Sequence, residues 1–296
     1  MARILIAGCG YVGEAVANAF HERGWEVEGW TERAESAAKL SQRPYAVRAV
    51  DVTDPHAVSN ASGEFDVVIH CVSSRGGDEK QYQRLYFDGA KNLLTAFPRA
   101  ALLFTSSTSV YPQTDGSIVD ESSPADPRHG KGKILRETED LVLAAGGIVA
   151  RLGGIHGPRR SSFLTRFLER RTAVEENDRF INQVHRDDIV SALILLVGRR
   201  AETGGGIFNV VGDRPIKAKA AHDWLSSRLD TTGAALPGPT WEREPGTLAR
   251  GGGTQRKRGQ SNKQVSNRKL RLLGWEPRYP TFESAMIENI LSSFGF

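Results

Sequence analysis

Apolar residues fall in two rhythms along the first half of the chain. Candidate strands, short segments that are apolar throughout or alternate apolar with polar, lie at 3–7, 25–30, 46–50, 66–71, 101–106 and 148–152. Between them, at 12–23, 34–40, 55–60, 79–97 and 131–145, the apolar positions return at helical spacing. Val12, Ala15, Val16, Ala19 and Phe20 set the first such stripe. Pro55 after Thr53-Asp54 starts a helix, and Gly146-Gly147 stops one. Strand and helix alternating over short connections predict an α/β fold, a doubly wound parallel sheet covered by helices on both faces.

Past Gly157 the rhythm loosens. Helices are expected at 161–171, at 187–198, from Pro215 to about Leu229, at 266–273 and at 281–292, with a strand at 206–211 returning to the sheet. Residues 231–262, rich in Gly, Pro, Thr and Arg, read as one long loop. The expected division is a nucleotide-binding unit, 1–157 with 183–211, and a smaller C-terminal substrate-binding region, 158–182 with 212–296.

The first strand breaks directly into Gly8-Cys9-Gly10-Tyr11-Val12-Gly13, and a helical stripe follows. Strand, Gly-x-Gly-x-x-Gly and helix together make the pyrophosphate cradle of a Rossmann dinucleotide site. Gly8 permits the turn, Gly10 lets the backbone approach the phosphates, and Gly13 allows close packing of helix on strand. The open amides of the helix N-terminus, around Tyr11 and Val12, face the negative charge.

Composition narrows the picture further. No apolar run reaches membrane-spanning length, and the first residues read as a strand rather than a signal peptide. Two cysteines, Cys9 and Cys71, make neither a disulfide framework nor a metal cluster, which fits a reducing cytoplasm. His21, His56 and His222 are scattered and make no metal site. The net charge is +4, with basic residues gathered between Arg250 and Arg278. That run has no interleaved aromatics, so it reads as a solvated face or loop, not as a nucleic-acid surface.

These motifs, with Asp51-Val52-Thr53-Asp54, Ser106-Ser107-Thr108-Ser109-Val110-Tyr111, Arg151-Leu152-Gly153-Gly154-Ile155-His156-Gly157-Pro158 and His185-Arg186-Asp187-Asp188-Ile189, stand in one order along the chain. In that order the chain resembles the extended or atypical short-chain dehydrogenase/reductases, in the NAD-dependent epimerase/dehydratase branch. The glycine loop departs slightly, because the family spacing puts its first glycine at Ala7. The resemblance implies that Asp51 and Val52 contact adenine and that His70, Cys71, Val72 and Ser73 line the cofactor groove. It aligns Thr31 with the ribose-binding carboxylate of NAD enzymes, and Arg33 stands two residues on. A hydroxyl and a guanidinium suit the 2′-phosphate of NADP, while the neighbouring Glu32 leaves NAD open.

The family's chemistry uses Ser or Thr, then Tyr, then Lys four residues after that Tyr. Here Ser107 matches the Ser, Lys133 matches the Lys, and His129 stands where the Tyr belongs. None of the six tyrosines has a lysine four residues later. The Lys133 ammonium, one helical turn away, would keep His129 neutral and suit it to proton abstraction. The other reading places His129 at an exposed helix start without a chemical part.

Two functions follow from the resemblance and its missing tyrosine. One is an NAD(P)-dependent oxidoreductase or epimerase/dehydratase acting at a hydroxyl-bearing carbon of a sugar-like molecule. The other is a non-catalytic NADP(H)-binding sensor. Arg159, Arg160, Arg166, Arg170, Arg171 and Arg179 could clamp an anionic substrate. Tyr111 and His156 stand near the expected pocket. The helices at 79–97 and 131–145 form a dimer face in related proteins; here Arg84, Lys91, Arg136 and Glu139 give them charged outer faces, so a monomer is favoured over a homodimer.

Overall fold

The computed structural model describes residues 1–61, 63–74, 76–169, 178–229 and 261–296. Its strands in chain order are β1 (Arg3–Ala7), β2 (Glu26–Thr31), β3 (Ala46–Ala49), β4 (Val67–His70), β5 (Ala101–Ser107), β6 (Ile118–Val119) and β7 (Ile148–Leu152). There follow β8 (Gly154–His156), β9 (Phe180–Ile181), β10 (Gln183–His185), β11 (Gly206–Val210), β12 (Ile216–Lys217) and β13 (Gln264–Val265). Among the described residues, seven of these form one sheet in the order β11-β7-β5-β4-β1-β2-β3. Every pairing within it is parallel. The expected doubly wound α/β sheet is therefore what the chain builds.

Inside the sheet, β1 shows why its apolar run is unbroken. Ile4 and Ile6 point into one core, with Val16, Phe20, Leu193 and Leu196. Leu5 and Ala7 point into the other, with Leu93, Phe97, Leu135 and Val142. Both faces of a parallel sheet are covered, so both sets of alternating side chains must be apolar. Each large side chain buried this way contributes roughly 1.5–3 kcal/mol. A third cluster, around Phe163, Phe167, Leu225, Phe282, Met286 and Ile290, lies beyond the sheet.

The structure departs from the sequence reading in several places. Ile216–Lys217 forms a short strand, so the helix expected from Pro215 begins at Ala218. The small pairs β6 with β13, β8 with β10 and β9 with β12 join distant segments, which periodicity within a window does not register. The helical stretch 79–96 opens into a π turn over Gln83–Asp88. Residues 170–177 and 230–260 lie outside the described residues, and with them Arg170, Arg171 and most of the expected loop.

Candidate functional site

The strand order reverses between β1 and β4, and ligands of open α/β sheets bind beyond the strand ends at that point. The glycine loop leaves β1 there, and Cys71-Val72-Ser73 leaves β4 beside it. The two segments are locked together: the Cys71 amide donates to the Ala7 carbonyl at 2.7 Å. Gly8, at φ +101°, sits where a Cβ would come within 2.6 Å of the Val72 nitrogen. A Cβ on Gly13 would strike the Gly8 carbonyl oxygen. At Gly10 a Cβ would meet open space. Val12 begins the helix Gly13–Glu22 without a side-chain cap; the Glu14 amide donates to the Gly10 carbonyl at 2.8 Å, which leaves the amides of Tyr11, Val12 and Gly13 to face a ligand. An open cradle under an uncapped helix end fits the pyrophosphate of a dinucleotide. Tyr11 turns its side chain out of the loop, and its hydroxyl donates to the Pro158 carbonyl at 3.1 Å.

The other groove residues sort into open and closed. At the tip of β2 the Thr31 hydroxyl donates to the Arg33 carbonyl at 3.1 Å, and Arg33 is exposed. The Asp51 carboxylate folds its own turn by accepting from the Thr53 amide at 2.9 Å. Capping of the helix Pro55–Asn60 falls to Asp54, which accepts from the amides of His56 and Ala57. The Val52 carbonyl accepts from Asn92 at 2.9 Å, tying this corner to the long helix. His70, expected in the groove, is turned into the core instead. Its Nε2 donates to the Leu85 carbonyl inside the π turn at 3.0 Å, and burial pushes its pKa down to about 4. Burial also raises the thiols of Cys9 and Cys71 to about 12, so both are poor nucleophiles.

On the far side of β4, Ser107 ends β5 beside Leu152 of β7. Its Oγ accepts from the Ser109 amide at 3.1 Å and caps the turn Thr108–Val110. The helix Gly130–Ala144 packs along β5 and against this turn, which brings its first residues to the same end of the sheet. His129 caps that helix: Nδ1 accepts from the Gly132 amide at 2.9 Å. An acceptor nitrogen carries no proton, so the remaining ring proton sits on Nε2. The sequence argument suited His129 to proton abstraction, but its basic lone pair is engaged by the helix and an N–H is what it offers. Lys133 is exposed one turn on, whereas Lys131 folds away onto the Gly77 carbonyl and the Tyr82 ring.

Behind Ser107 lies a polar network that no motif announced. Glu139, expected on an outer face, is fully buried. Arg151 grips its carboxylate through Nε at 3.0 Å and Nη2 at 2.6 Å, and the Ser106 hydroxyl donates to it at 2.6 Å. The Arg151 guanidinium lies 4.7 Å from the Tyr111 ring centroid, and the Tyr111 hydroxyl donates to Asn209 at 2.9 Å. Tyr111 is therefore packing. Lys263 donates to the Tyr111 carbonyl at 2.7 Å, and burial pushes its pKa down to about 8. Lys269 donates to the Ile207 carbonyl and Arg271 to that of Trp275. Lys263 is thus built into the fold, against the reading of the basic run as a solvated face, while Arg268, Lys269 and Arg271 are exposed as expected; Arg256, Lys257 and Arg258 lie outside the described residues. The network escaped sequence reading because its members come from five separate segments.

His156 is buried at the wall of a small cavity lined also by Gln183, Arg214 and Tyr279, with its ring 5.8 Å from that of His185. His185 opens the helix Arg186–Gly198 by accepting from the Asp187 amide. Arg159, at φ +54°, is held by a bond from its amide to Ser293, and Arg166 lies over Phe163. Among the described residues no cluster of His, Cys, Asp or Glu is arranged to hold a metal, and no helix is long and apolar enough to cross a membrane.

Residues 4–211 match the model of the NAD-dependent epimerase/dehydratase family. The chain belongs to that family. The chain is 32% identical to the YeeZ protein of Escherichia coli over 221 residues, covering 71% of this chain and 77% of that one. It is similar in structure to a UDP-glucose 4-epimerase of Thermotoga maritima, solved with UDP-glucose, at TM-score 0.76 and 17% identity, covering 96% of each chain. A dTDP-glucose 4,6-dehydratase of Bacillus anthracis, solved with NAD, matches at TM-score 0.76 and 15% identity, covering 98% of this chain and 96% of that one. At such identities the likeness of the structures is one of fold.

Proposed function

We propose that this protein is an NAD(P)-dependent oxidoreductase or epimerase/dehydratase acting at a hydroxyl-bearing carbon of a sugar-like small molecule, with NADP the preferred cofactor. The observation that carries this reading is one end of one sheet: an open, uncapped glycine cradle with Ser107, His129 and Lys133 across the strand-order switch. When bound there, the nicotinamide dinucleotide supplies the hydride acceptor or donor. Gly8, Gly10, Tyr11, Val12 and Gly13 hold its pyrophosphate, and Asp51, Val52, Cys71, Val72 and Ser73 line the rest of the groove. The exposed Arg33, with Thr31 beside it, pairs with a 2′-phosphate, for which a guanidinium fork is well shaped. Lys133 holds the nicotinamide ribose. Ser107 orients the substrate oxygen, and His129 in the place of the usual tyrosine donates the Nε2 proton as a hydrogen bond to that oxygen. Arg159, Arg166 and Arg179 suit a substrate carrying phosphate or carboxylate.

One observation favours a second reading, a non-catalytic NADP(H)-binding sensor: His129 spends its basic nitrogen on the helix cap. A calorimetric titration with NADPH and NADH on wild type and Arg33→Ala tests the cofactor part. Tight NADPH binding that weakens in Arg33→Ala while NADH binding holds is the expected result. Absence of binding by either form would end both readings. Turnover of nucleotide sugars by wild type, increased in His129→Tyr, separates the enzyme from the sensor; binding without turnover in both proteins leaves the sensor.

A further inference from the structure

Tyr11 gathers two arginines from a distant part of the chain. The Arg160 guanidinium lies 5.0 Å from its ring centroid and the Arg186 guanidinium 5.2 Å. The ring itself is fixed. Its hydroxyl is bonded to the Pro158 carbonyl, and Gly157, at φ +154°, leaves space that a Cβ would fill 2.6 Å from the Tyr11 oxygen. Arg160 leaves the crossing after β8, and Arg186 is the first residue of the helix Arg186–Gly198.

Both guanidiniums thus gather at the side chain of a glycine-loop residue. The ring quadrupole attracts each by about 0.5–2 kcal/mol. Asp187 faces Arg186 at 2.9 Å and also stands 3.9 Å from His185 Nδ1. The adjacent glycine loop offers a ligand backbone amides but no cationic side chain, while a dinucleotide pyrophosphate carries two negative charges. Guanidinium forks match phosphate oxygens in shape as well as charge.

We propose that Arg160 and Arg186 form a cationic clamp on the dinucleotide pyrophosphate, closing over the glycine loop from the substrate side. The proposal rests on the dinucleotide reading above and adds two binding residues to it. Because both arginines belong to segments leading into the substrate region, an occupied clamp also ties that region to the loop.

The test is calorimetry with inorganic pyrophosphate, NADPH, NADH, UDP and adenosine on wild type, Arg160→Gln, Arg186→Gln and the double variant. Circular dichroism and melting serve as the check of folding. Each single change is expected to weaken pyrophosphate and dinucleotide roughly tenfold, the double more, with adenosine unchanged. The dependence of Kd on salt should become shallower with each lost cation. Arg160→Lys, which keeps the charge without the fork, should recover part of the loss. Dinucleotide and pyrophosphate affinities unchanged in the double variant would overturn the clamp. So would an equal loss for adenosine, which marks a deformed loop, or a loss confined to UDP, which assigns the arginines to a substrate phosphate. If wild type binds pyrophosphate through these arginines yet binds no dinucleotide, the proposed function falls and the clamp falls as a cofactor site, the arginines being left as a pyrophosphate site. If wild type binds neither, the clamp falls as well.

Discussion

His129 Nδ1 accepts a hydrogen bond from the Gly132 amide at 2.9 Å, so the residue in the family's tyrosine position is also the cap of its helix. Replacing it should cost stability whatever its chemical part. His129→Ala is expected to lose about 1 kcal/mol, the usual value of an N-cap, which lowers Tm by roughly 2–4 °C in a chain of this size. His129→Asn, which can cap, should melt close to wild type. An unchanged Tm in His129→Ala would show that the bond does not form in solution.

Glu139 and Arg151 are both buried; Arg151 holds the Glu139 carboxylate from within the core and Arg136 reaches it from the helix surface, each at 2.6 Å. Removing one partner leaves a charge stranded, so Glu139→Ala should cost about 3–5 kcal/mol in urea unfolding. Replacing both, by Glu139→Leu with Arg151→Met, should recover most of that loss, because a fitted apolar pair avoids the desolvation of two ions. A loss of under about 1 kcal/mol in Glu139→Ala, the value of an exposed pair, would contradict this burial.

The glycines of the loop should separate folding from binding. A methyl at Gly13 strikes the Gly8 carbonyl, so Gly13→Ala should lower Tm and dinucleotide affinity together. A methyl at Gly10 meets open space within the protein, so Gly10→Ala should melt like wild type. Its methyl would occupy the cradle, and dinucleotide affinity should fall. Normal affinity in Gly10→Ala would mean that phosphates do not approach there.

Acid should destabilise the fold earlier than carboxylates alone would require. Burial holds His70 at about 4 and His156 at about 3, while in the unfolded chain both take up a proton near pH 6.5. Their contribution is complete above that pH and is lost as pH falls toward the folded values. His185, also lowered, adds in the same direction. Asp188 opposes them: burial raises it to about 6 from 3.8, so its contribution is present at low pH and lost as pH rises through 6. Between about pH 6 and pH 4 the three lowered imidazoles outweigh the two carboxyls that burial raises, Asp188 and Glu121. Stability should fall by about 1.4 kcal/mol per pH unit for that net proton. Melting curves from pH 7.5 to pH 5 check the sign, and Asp188→Asn should steepen the fall. A flat Tm over that range would contradict the buried imidazoles.

The sequence by itself determined the sheet, because a parallel strand covered on both faces needs an unbroken apolar run and a crossover helix needs an apolar stripe. It also determined the glycine loop, whose Gly8 and Gly13 are required by backbone contacts only a few residues away in chain or across one strand pair. It marked the helix start at Thr53-Asp54-Pro55, where the Asp54 cap is a local hydrogen bond. Only the tertiary structure decided what long-range contacts decide. It buried Glu139 against Arg151 and turned His70 from the groove into the core. It set Lys263 under Tyr111, and it brought Arg160 and Arg186 to the ring of Tyr11. A helical stripe tells which face is apolar, but not which charged residue on it will find a partner across a sheet. That partner arrives from a segment whose distance along the chain carries no periodic signal, so the charge network and the cation cluster existed only once the chain had folded.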